Sequence, residues 1–175
     1  MTAVEVFELT THGGATAFRR LIVACESFGP YCLIGGLAVN CYVEPVYTID
    51  ADMVVYAAIL PALTIHLAER GFDTEAHAHS VNVVEPGSDL RIQFTTDERY
   101  QAFLSRSVEA SVLGVRAKVA CLEDVVQGKL WAYGDPRRRL SKRKKDELDL
   151  IRLAEAYPEL KPSYPRELQE QLERG

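Results

Sequence analysis

The chain has 175 residues, of which 47% are hydrophobic and 26% are charged, and this profile predicts a globular protein with a packed core. These values exclude collagen-like, coiled-coil and disordered chains, and the length fits one domain better than two full cores. The formal net charge is -5, yet seven of the 20 basic residues fall between Arg137 and Lys145. That leaves 13 basic against 25 acidic residues in the rest of the chain, so the sequence is an acidic body with one basic block.

Signals for export or membrane insertion are missing from the sequence pattern. Residues 1 to 10 contain Glu5 and Glu8, with no basic start and no apolar core of signal-peptide length. No stretch approaches the ~18 consecutive apolar residues that indicate a membrane-spanning helix. The four cysteines form no C-x-x-C pair and lie mostly in apolar surroundings, which is typical of reduced thiols. We therefore expect a cytoplasmic protein.

In the first half of the chain, hydrophobic periodicity and Gly or Pro breaks define alternating helices and strands. We predict a helix over residues 14 to 28, a buried strand over 31 to 34, a helix over 37 to 43, a strand over 48 to 56 and a helix over 57 to 70. The 31 to 34 strand breaks at Gly35 and Gly36, and Gly71 ends the last of these helices.

The second half begins with strand signals and ends in helices. We predict strands over residues 81 to 84 and 89 to 95, a helix over 97 to 104, a hairpin of strands over 108 to 113 and 115 to 119, and helices over 122 to 133, 141 to 156 and 165 to 173. Strands mixed with helices predict an α+β (mixed α/β) domain. We expect residues 1–120 to form its core and residues 121–175 to form a C-terminal helical cap, packed on the core as one unit.

Two motifs in the first half carry groups suited to phosphate chemistry. Asp50 and Asp52 are two residues apart on a predicted strand, so their carboxylates point to the same face. Two adjacent anions repel each other, and a divalent cation such as Mg2+ or Mn2+, which takes oxygen ligands, is the usual compensation. Gly35 and Gly36 form a tight turn into a helix, whose free amides favour phosphate oxygens. Each motif alone also fits a plain turn or a solvated strand end.

The order of these motifs, G-G followed by D-x-D on the next strand, resembles the nucleotidyltransferase superfamily with the DNA polymerase beta fold. Within it, the chain is most similar to small prokaryotic proteins related to AbiEii-type toxins, over roughly residues 30 to 155. The downstream motifs behind this second resemblance are Lys129 and the run from Lys145 to Asp149. The resemblance implies a mixed β-sheet flanked by helices. It also implies transfer of a nucleoside monophosphate from an NTP to a hydroxyl or phosphate acceptor on RNA, a protein or a small molecule.

The resemblance also implies roles for individual residues. Asp50 and Asp52 would be catalytic and would hold Mg2+ or Mn2+. Lys129 would be catalytic as well, offsetting charge on the triphosphate, although its position on a helix also fits a solvated lysine. The residues expected to bind the nucleotide are Gly35, Gly36, Arg91, Lys129, Lys145, Asp146 and Asp149. For the two aspartates of that set, the alternative is exposed helix pairing with neighbouring lysines.

The superfamily has a third carboxylate on a later strand, and here the sequence departs from the pattern. On the predicted strand over 89 to 95, Asp89, Arg91 and Gln93 share the face opposite the apolar side chains. The third acid would stand at Arg91 or Gln93, which leaves Asp89 as the substitute catalytic residue and metal ligand. Glutamine removes charge from a metal site, and arginine opposes the cation. The alternative to an active enzyme is therefore a weakened or inactive protein of this fold that binds nucleotide, RNA or a toxin–antitoxin-like partner.

The basic block provides a second candidate binding surface. Such clusters give salt-sensitive affinity for phosphates, so the block can bind the triphosphate, a nucleic-acid acceptor or an acidic protein. The alternative interpretation is a solvated loop with no binding role. Its members are Arg137, Arg138, Arg139, Lys142, Arg143, Lys144 and Lys145. A third hypothesis is an oligomeric scaffold that uses the helical tail. His77 and His79 have no third ligand nearby, so we predict no metal site there.

Overall fold

A mixed seven-stranded β-sheet runs through the computed structural model, which describes residues 1–175. The strands are β1 (Tyr31–Ile34), β2 (Asp50–Val55), β3 (Asp73–Ala76), β4 (Ser80–Val84), β5 (Arg91–Thr95), β6 (Val108–Val112) and β7 (Val115–Val119). Their spatial order is β3-β4-β5-β2-β1-β7-β6. The β2–β5 and β1–β7 pairs are parallel and the other four are antiparallel, so the predicted mixture of α and β structure is confirmed.

Seven α-helices and two 3-10 helices surround the sheet. The α-helices are α1 (Ala3–Thr10), α2 (Gly14–Phe28), α3 (Gly35–Val39), α4 (Leu60–Glu69), α5 (Leu122–Gly134), α6 (Leu140–Ala156) and α7 (Arg166–Arg174). The 3-10 helices are Glu98–Arg106 and Pro158–Ser163. None of these helices combines the length and the apolar character that crossing a bilayer requires.

Three elements escape the hydrophobic pattern, and one of them, the 3-10 helix Pro158–Ser163, buries no residue at all. Strand β3 is an edge strand with no buried residue, so it has no apolar alternation to detect. Helix α1 buries only Phe7, although Thr2 and Glu5 form a reciprocal capping box at its start. The helix predicted over residues 97 to 104 is instead the 3-10 helix Glu98–Arg106, capped by Asp97 as expected.

Period-two alternation divides β5 between the core and the opposite face of the sheet. Ile92 and Phe94 are fully buried and belong to the same apolar cluster as Leu21 of α2. Arg91 and Gln93 are exposed on the other face. Because β2 pairs with β5 in parallel register, the polar face of β5 continues into the polar face of β2. One side of the sheet is therefore covered by apolar packing, while part of the other side is lined by polar side chains.

Helices α5 and α6 pack on each other and contact α3, next to this polar face. Tyrosine hydroxyls connect this helical part to the sheet: Tyr42 donates to the Ala120 carbonyl at 2.8 Å, and Tyr157 donates to the Tyr42 carbonyl at 3.0 Å. Farther along, the buried Tyr164 hydroxyl donates to the Leu150 carbonyl at 2.8 Å. The C-terminal helices are thus connected to the sheet and to one another by part-buried and buried hydrogen bonds.

Candidate active site

Asp50 and Asp52 lie on β2 at the base of a cleft between the sheet and the C-terminal helices. Their side chains alternate with Ala51 and Met53, which are fully buried in the core. The two carboxylates therefore share the cleft face, as the period of two requires. The buried side chains of β2 hold the strand in position, and the strand in turn sets the positions of the Asp50 and Asp52 carboxylates.

The G-G turn supports the acid pair from the neighbouring strand. Ile34 at the end of β1 pairs with Asp52, so Gly35 follows directly beside that carboxylate. Gly35 has a φ of +68°, a left-handed conformation that side chains disfavour, and a Cβ there would overlap the carboxylate of Asp52. Gly36 meets only Thr48, at an ordinary contact distance of 3.5 Å for an added Cβ. The first glycine is therefore required by the close approach of Asp52.

The cleft has a volume of about 590 Å³, and only six of its 25 lining residues are hydrophobic. A volume of this size is typical of sites for small molecules, although the lining is more polar than in most of them. Both acids, both glycines and several basic residues of the sheet and the C-terminal helices line it. The charged lining residues are Asp50, Asp52, Glu75, Arg91, Asp124, Lys129, Arg138, Lys142, Lys145 and Asp146.

Three residues of the basic block face the cleft. Lys142 Nζ lies 3.3 Å from Asp50 Oδ2, and Lys145 Nζ lies 3.5 Å from Thr48 Oγ1. Arg138 Nε donates to Asp146 Oδ2 at 2.6 Å. These three occupy one side of α6 and the turn before it, opposite the acid pair.

The other four members of the block do not line the cleft. Arg137 pairs with Asp135 and Lys144 pairs with Glu147, while Arg139 is exposed and Arg143 is half-buried. The block is therefore divided between the cleft and the outer surface, and the sequence pattern alone does not show this division.

Lys129 is a buried lysine held between two aspartates of α6. Its Nζ lies 3.0 Å from Asp146 Oδ1 and 2.7 Å from Asp149 Oδ2, and only 8% of its side chain is exposed. Arg152 pairs with the other oxygen of Asp149 at 2.8 Å. Burial lowers the pKa of Lys129, but the charges and hydrogen bonds of the two aspartates outweigh burial, so its pKa is raised.

This network excludes the solvated alternative for the Lys129 and Asp146/Asp149 motifs, and their role in nucleotide binding stays a prediction. All three residues are buried, so they are not solvated helix pairs. Lys129 and Asp146 line the cleft, whereas Asp149 does not and contacts it only through Lys129.

The environment of Asp52 disfavours its ionised form. Burial is the largest influence and raises its pKa, and the neighbouring charge of Asp50 raises it further. The charges of Lys129, Arg138 and Lys142 act in the opposite direction but do not cancel these influences. An additional cation beside Asp52 would therefore be favourable.

Arg91 and Gln93 occupy the strand positions next to the acid pair. In the parallel register, Arg91 pairs with Asp50 and Gln93 pairs with Asp52. Asp89 precedes the strand, its side chain lies 2.6 Å from His12 Nδ1, and it is not among the lining residues. The structure therefore does not bring Asp89 to the acid pair.

The residues present suit one Mg2+ that is shared with a substrate. No group of three His, Cys, Asp or Glu side chains is arranged to hold a metal ion. Mg2+ is commonly bound by one or two carboxylates together with substrate phosphates, and it does not require a complete protein cage. Asp50 and Asp52 supply that pair, and the raised pKa of Asp52 indicates a carboxylate that lacks enough positive charge. The donor set thus fits a nucleotide-associated cation.

Two further residues that line the cleft, Asn82 and Tyr100, were not predicted from the sequence. Asn82 stands between Val81 and Val83 on β4, and its Oδ1 is buried without a hydrogen-bond partner. The V-N-V alternation is the signal that places it opposite the apolar face. Tyr100 belongs to the 3-10 helix and packs edge-on against Phe103 and Trp131, a cluster that forms only in the folded chain.

No protein-family model and no curated protein sequence matches the chain. Solved structures do resemble it. ANT(2'')-Ia in complex with adenylyl-2''-tobramycin superposes with a TM-score of 0.62 at 14% sequence identity, over 91% of this chain and 97% of that one. An antigenic nucleotidyltransferase-like protein from Paracoccidioides brasiliensis gives a TM-score of 0.58 at 21% identity, over 92% and 86% of the two chains.

At such low identity, these similarities show the fold alone. They confirm the predicted fold class, a mixed sheet flanked by helices as in nucleotidyltransferases, across nearly the whole chain. The resemblance to the nucleotidyltransferase superfamily, and within it to AbiEii-type proteins, therefore stays a prediction.

Proposed function

We propose that the protein is a nucleotidyltransferase that moves a nucleoside monophosphate from an NTP to a hydroxyl on an acceptor. The observation that carries this proposal is the arrangement of the cleft. The acid pair of β2, packed on Gly35, faces Lys142 and Lys145 of α6 across one polar cavity. A triphosphate needs cations along its length and a metal-binding acid near its α-phosphate, and this cleft offers both.

The reaction that suits this cleft is an in-line displacement at the α-phosphorus. The acceptor oxygen forms a bond to phosphorus while the bond to the β-phosphate oxygen breaks, and pyrophosphate leaves with the electron pair. Lys142 and Lys145 would neutralise the charge that develops on the leaving pyrophosphate. Lys129, fixed by Asp146 and Asp149, would act as a rigid positive charge in the wall rather than as a mobile contact.

Mg2+ is the expected cofactor, and Asp50 and Asp52 are the residues that would hold it. When bound, it supplies positive charge to the α-phosphate oxygens as a Lewis acid. The protein positions the two acids. Gly35 leaves room for the Asp52 carboxylate beside the turn, and the core residues of β2 set the direction of both side chains.

Pyrophosphate release in the presence of each NTP, Mg2+ and a broad acceptor panel tests the proposal. We expect Asp50→Asn and Asp52→Asn to reduce release to background, whereas Asp73→Asn, on the exposed edge strand β3, should leave it unchanged. Folding of all three variants is checked by circular dichroism. Wild-type protein that neither binds an NTP nor transfers from it to any acceptor would contradict the proposal.

A second candidate function is nucleotide binding without transfer. It is favoured by Arg91 and Gln93 beside the acid pair, where the superfamily has a carboxylate. Calorimetry separates the two functions: Mg2+-dependent NTP binding with no pyrophosphate release indicates a binding protein. An RNA or toxin–antitoxin-like partner and a cytoplasmic location belong to this proposal as predictions.

A further inference from the structure

Three polar side chains in the cleft make no contact that satisfies them within the protein. They are Asn82 on β4 and Arg91 and Gln93 on β5, and all three line the cavity. Asn82 Oδ1 is buried without a hydrogen-bond partner, which is costly unless a ligand or solvent supplies a donor. The carboxylate in register with Arg91, Asp50, is paired with Lys142 instead. These three groups are therefore available to a ligand.

The sheet register places these groups in order beside the reaction centre. Gln93 pairs with Asp52, Asn82 pairs with Gln93, and Glu75 pairs with Asn82. Adjacent strands are ~4.8 Å apart, so this row extends ~14 Å outward from the acid pair. This row, together with Arg91 on β5, forms a polar trough that runs from β2 toward the β3 edge, whereas Lys142 and Lys145 contact Asp50 and Thr48 at the β2 end. If the triphosphate lies along those lysines, the trough is where the acceptor must approach.

The charges in the trough select the acceptor. Arg91 is one strand away from Asp50, and its planar guanidinium suits bidentate binding of a phosphate. Glu75 lies at the outer end of the row and is largely exposed, so a polyanion that continued outward would meet a negative charge. A polycationic acceptor would place positive charge against Arg91. An acceptor with one phosphate near its reacting hydroxyl would bind Arg91, would not extend to Glu75 and would carry no positive charge toward Arg91.

We propose, resting on the proposed transferase function, that the β3–β4–β5 trough is the acceptor subsite and that the acceptor is a small phosphorylated sugar or polyol. Arg91 holds its phosphate, and the amides of Asn82 and Gln93 bind its hydroxyls. The acceptor hydroxyl adjacent to that phosphate forms the new bond to the α-phosphorus. Pyrophosphate leaves, and the hydroxyl proton passes to solvent.

Calorimetric titration with ribose 5-phosphate, ribose and a short oligoribonucleotide tests the subsite, with and without a non-hydrolysable NTP analogue and Mg2+. We expect ribose 5-phosphate to bind about 10- to 100-fold more tightly than ribose, the contribution of a charge-assisted contact. Arg91→Gln should abolish this difference, and Arg91→Lys should restore part of it. Arg116→Gln, an exposed arginine on β7 outside the cleft, serves as the matched control.

The two proposals fail separately in this experiment. An analogue that binds while ribose and ribose 5-phosphate bind equally, or while Arg91→Gln has no effect, overturns the subsite and leaves the transferase function standing. If the analogue does not bind but ribose 5-phosphate binds through Arg91, the transferase function fails and the phosphate subsite stands. Tighter binding of the oligoribonucleotide than of ribose 5-phosphate would identify a nucleic-acid acceptor and overturn the proposal of a small one.

Discussion

The Asp52 carboxylate occupies the space that a side chain at position 35 would fill, so Gly35 is what allows it to lie there. We predict that Gly35→Ala displaces Asp52, lowers kcat by about 100-fold and destabilises the fold by about 1–2 kcal/mol, because alanine is strained at a φ of +68°. Steady-state kinetics and urea unfolding measure the two effects. Gly36→Ala is the matched control, since an added Cβ meets Thr48 at 3.5 Å and should be tolerated. Equal behaviour of the two variants would contradict this role for Gly35.

The ionised Asp52 carboxylate should destabilise the folded protein at neutral pH. Burial raises its native pKa above the ordinary value of 3.8, so the native state binds the proton more tightly than the unfolded chain does. Stability therefore falls as the pH rises from that ordinary value through the native pKa, and the loss persists above it. We predict that Asp52→Asn, although inactive, has a higher Tm than the wild type near pH 7, and that the difference shrinks toward pH 3.

Thermal unfolding across this pH range measures the effect, and Asp50→Asn is the comparison. That variant loses the ion pair with Lys142 and should gain no stability. A Tm difference for Asp52→Asn that is independent of pH would contradict burial of the charge as its cause.

The sequence carried enough information for the acid pair and not enough for its surroundings. Strand periodicity predicts the common face of Asp50 and Asp52, and the need for a permissive residue in the turn predicts Gly35; the structure shows both placements. Asp89 was the expected third carboxylate, but its direction depends on a long-range contact with His12, 77 positions away. No local pattern encodes such a contact.

At the scale of elements, helices α5 and α6 are joined through one buried lysine. We predict that Lys129→Met destabilises the protein by about 3–5 kcal/mol, because it leaves Asp146 and Asp149 buried without their shared counter-charge. Chemical denaturation measures the loss. Lys144→Met, on the exposed side of α6, is the control and should change stability little. A similarly small effect for both variants would show that Arg138 and Arg152 are sufficient partners for the two aspartates.

A buried apolar stripe makes an element easier to predict from the sequence. Helix α2 and strand β1 have such stripes, and their observed bounds match the predicted ones closely. Strand β3 forms because β4 offers it an edge to pair with, which is a property of the neighbour rather than of its own residues. Strand β3 is therefore missed by local patterns, whereas β6, the other edge strand, is predicted as part of its hairpin with β7.

For the whole molecule, we predict that the core over 1–120 and the cap over 121–175 unfold together in a single transition. The hydroxyl of Tyr157 donates to the Tyr42 carbonyl in a part-buried contact between the two parts, and their apolar residues belong to one cluster. The single tryptophan, Trp131, lies in the cap and reports its unfolding by fluorescence, while far-ultraviolet circular dichroism reports the whole chain. Coincident curves are expected, and two separated midpoints would show independent units.

The ion pair between Lys142 and Asp50 gives the cleft an internal counter-ion. A divalent cation that binds Asp50 Oδ2 would compete with the lysine for that oxygen, and a triphosphate would offer the lysine a new partner. Binding of either the metal or the nucleotide thereby makes the binding free energy of the other more favourable. Their binding should therefore be thermodynamically linked, and each should raise the affinity for the other by the same factor. Such linkage makes the metal–nucleotide complex the preferred ligand, and it favours a cleft that stays charge-balanced in both its free and its loaded states.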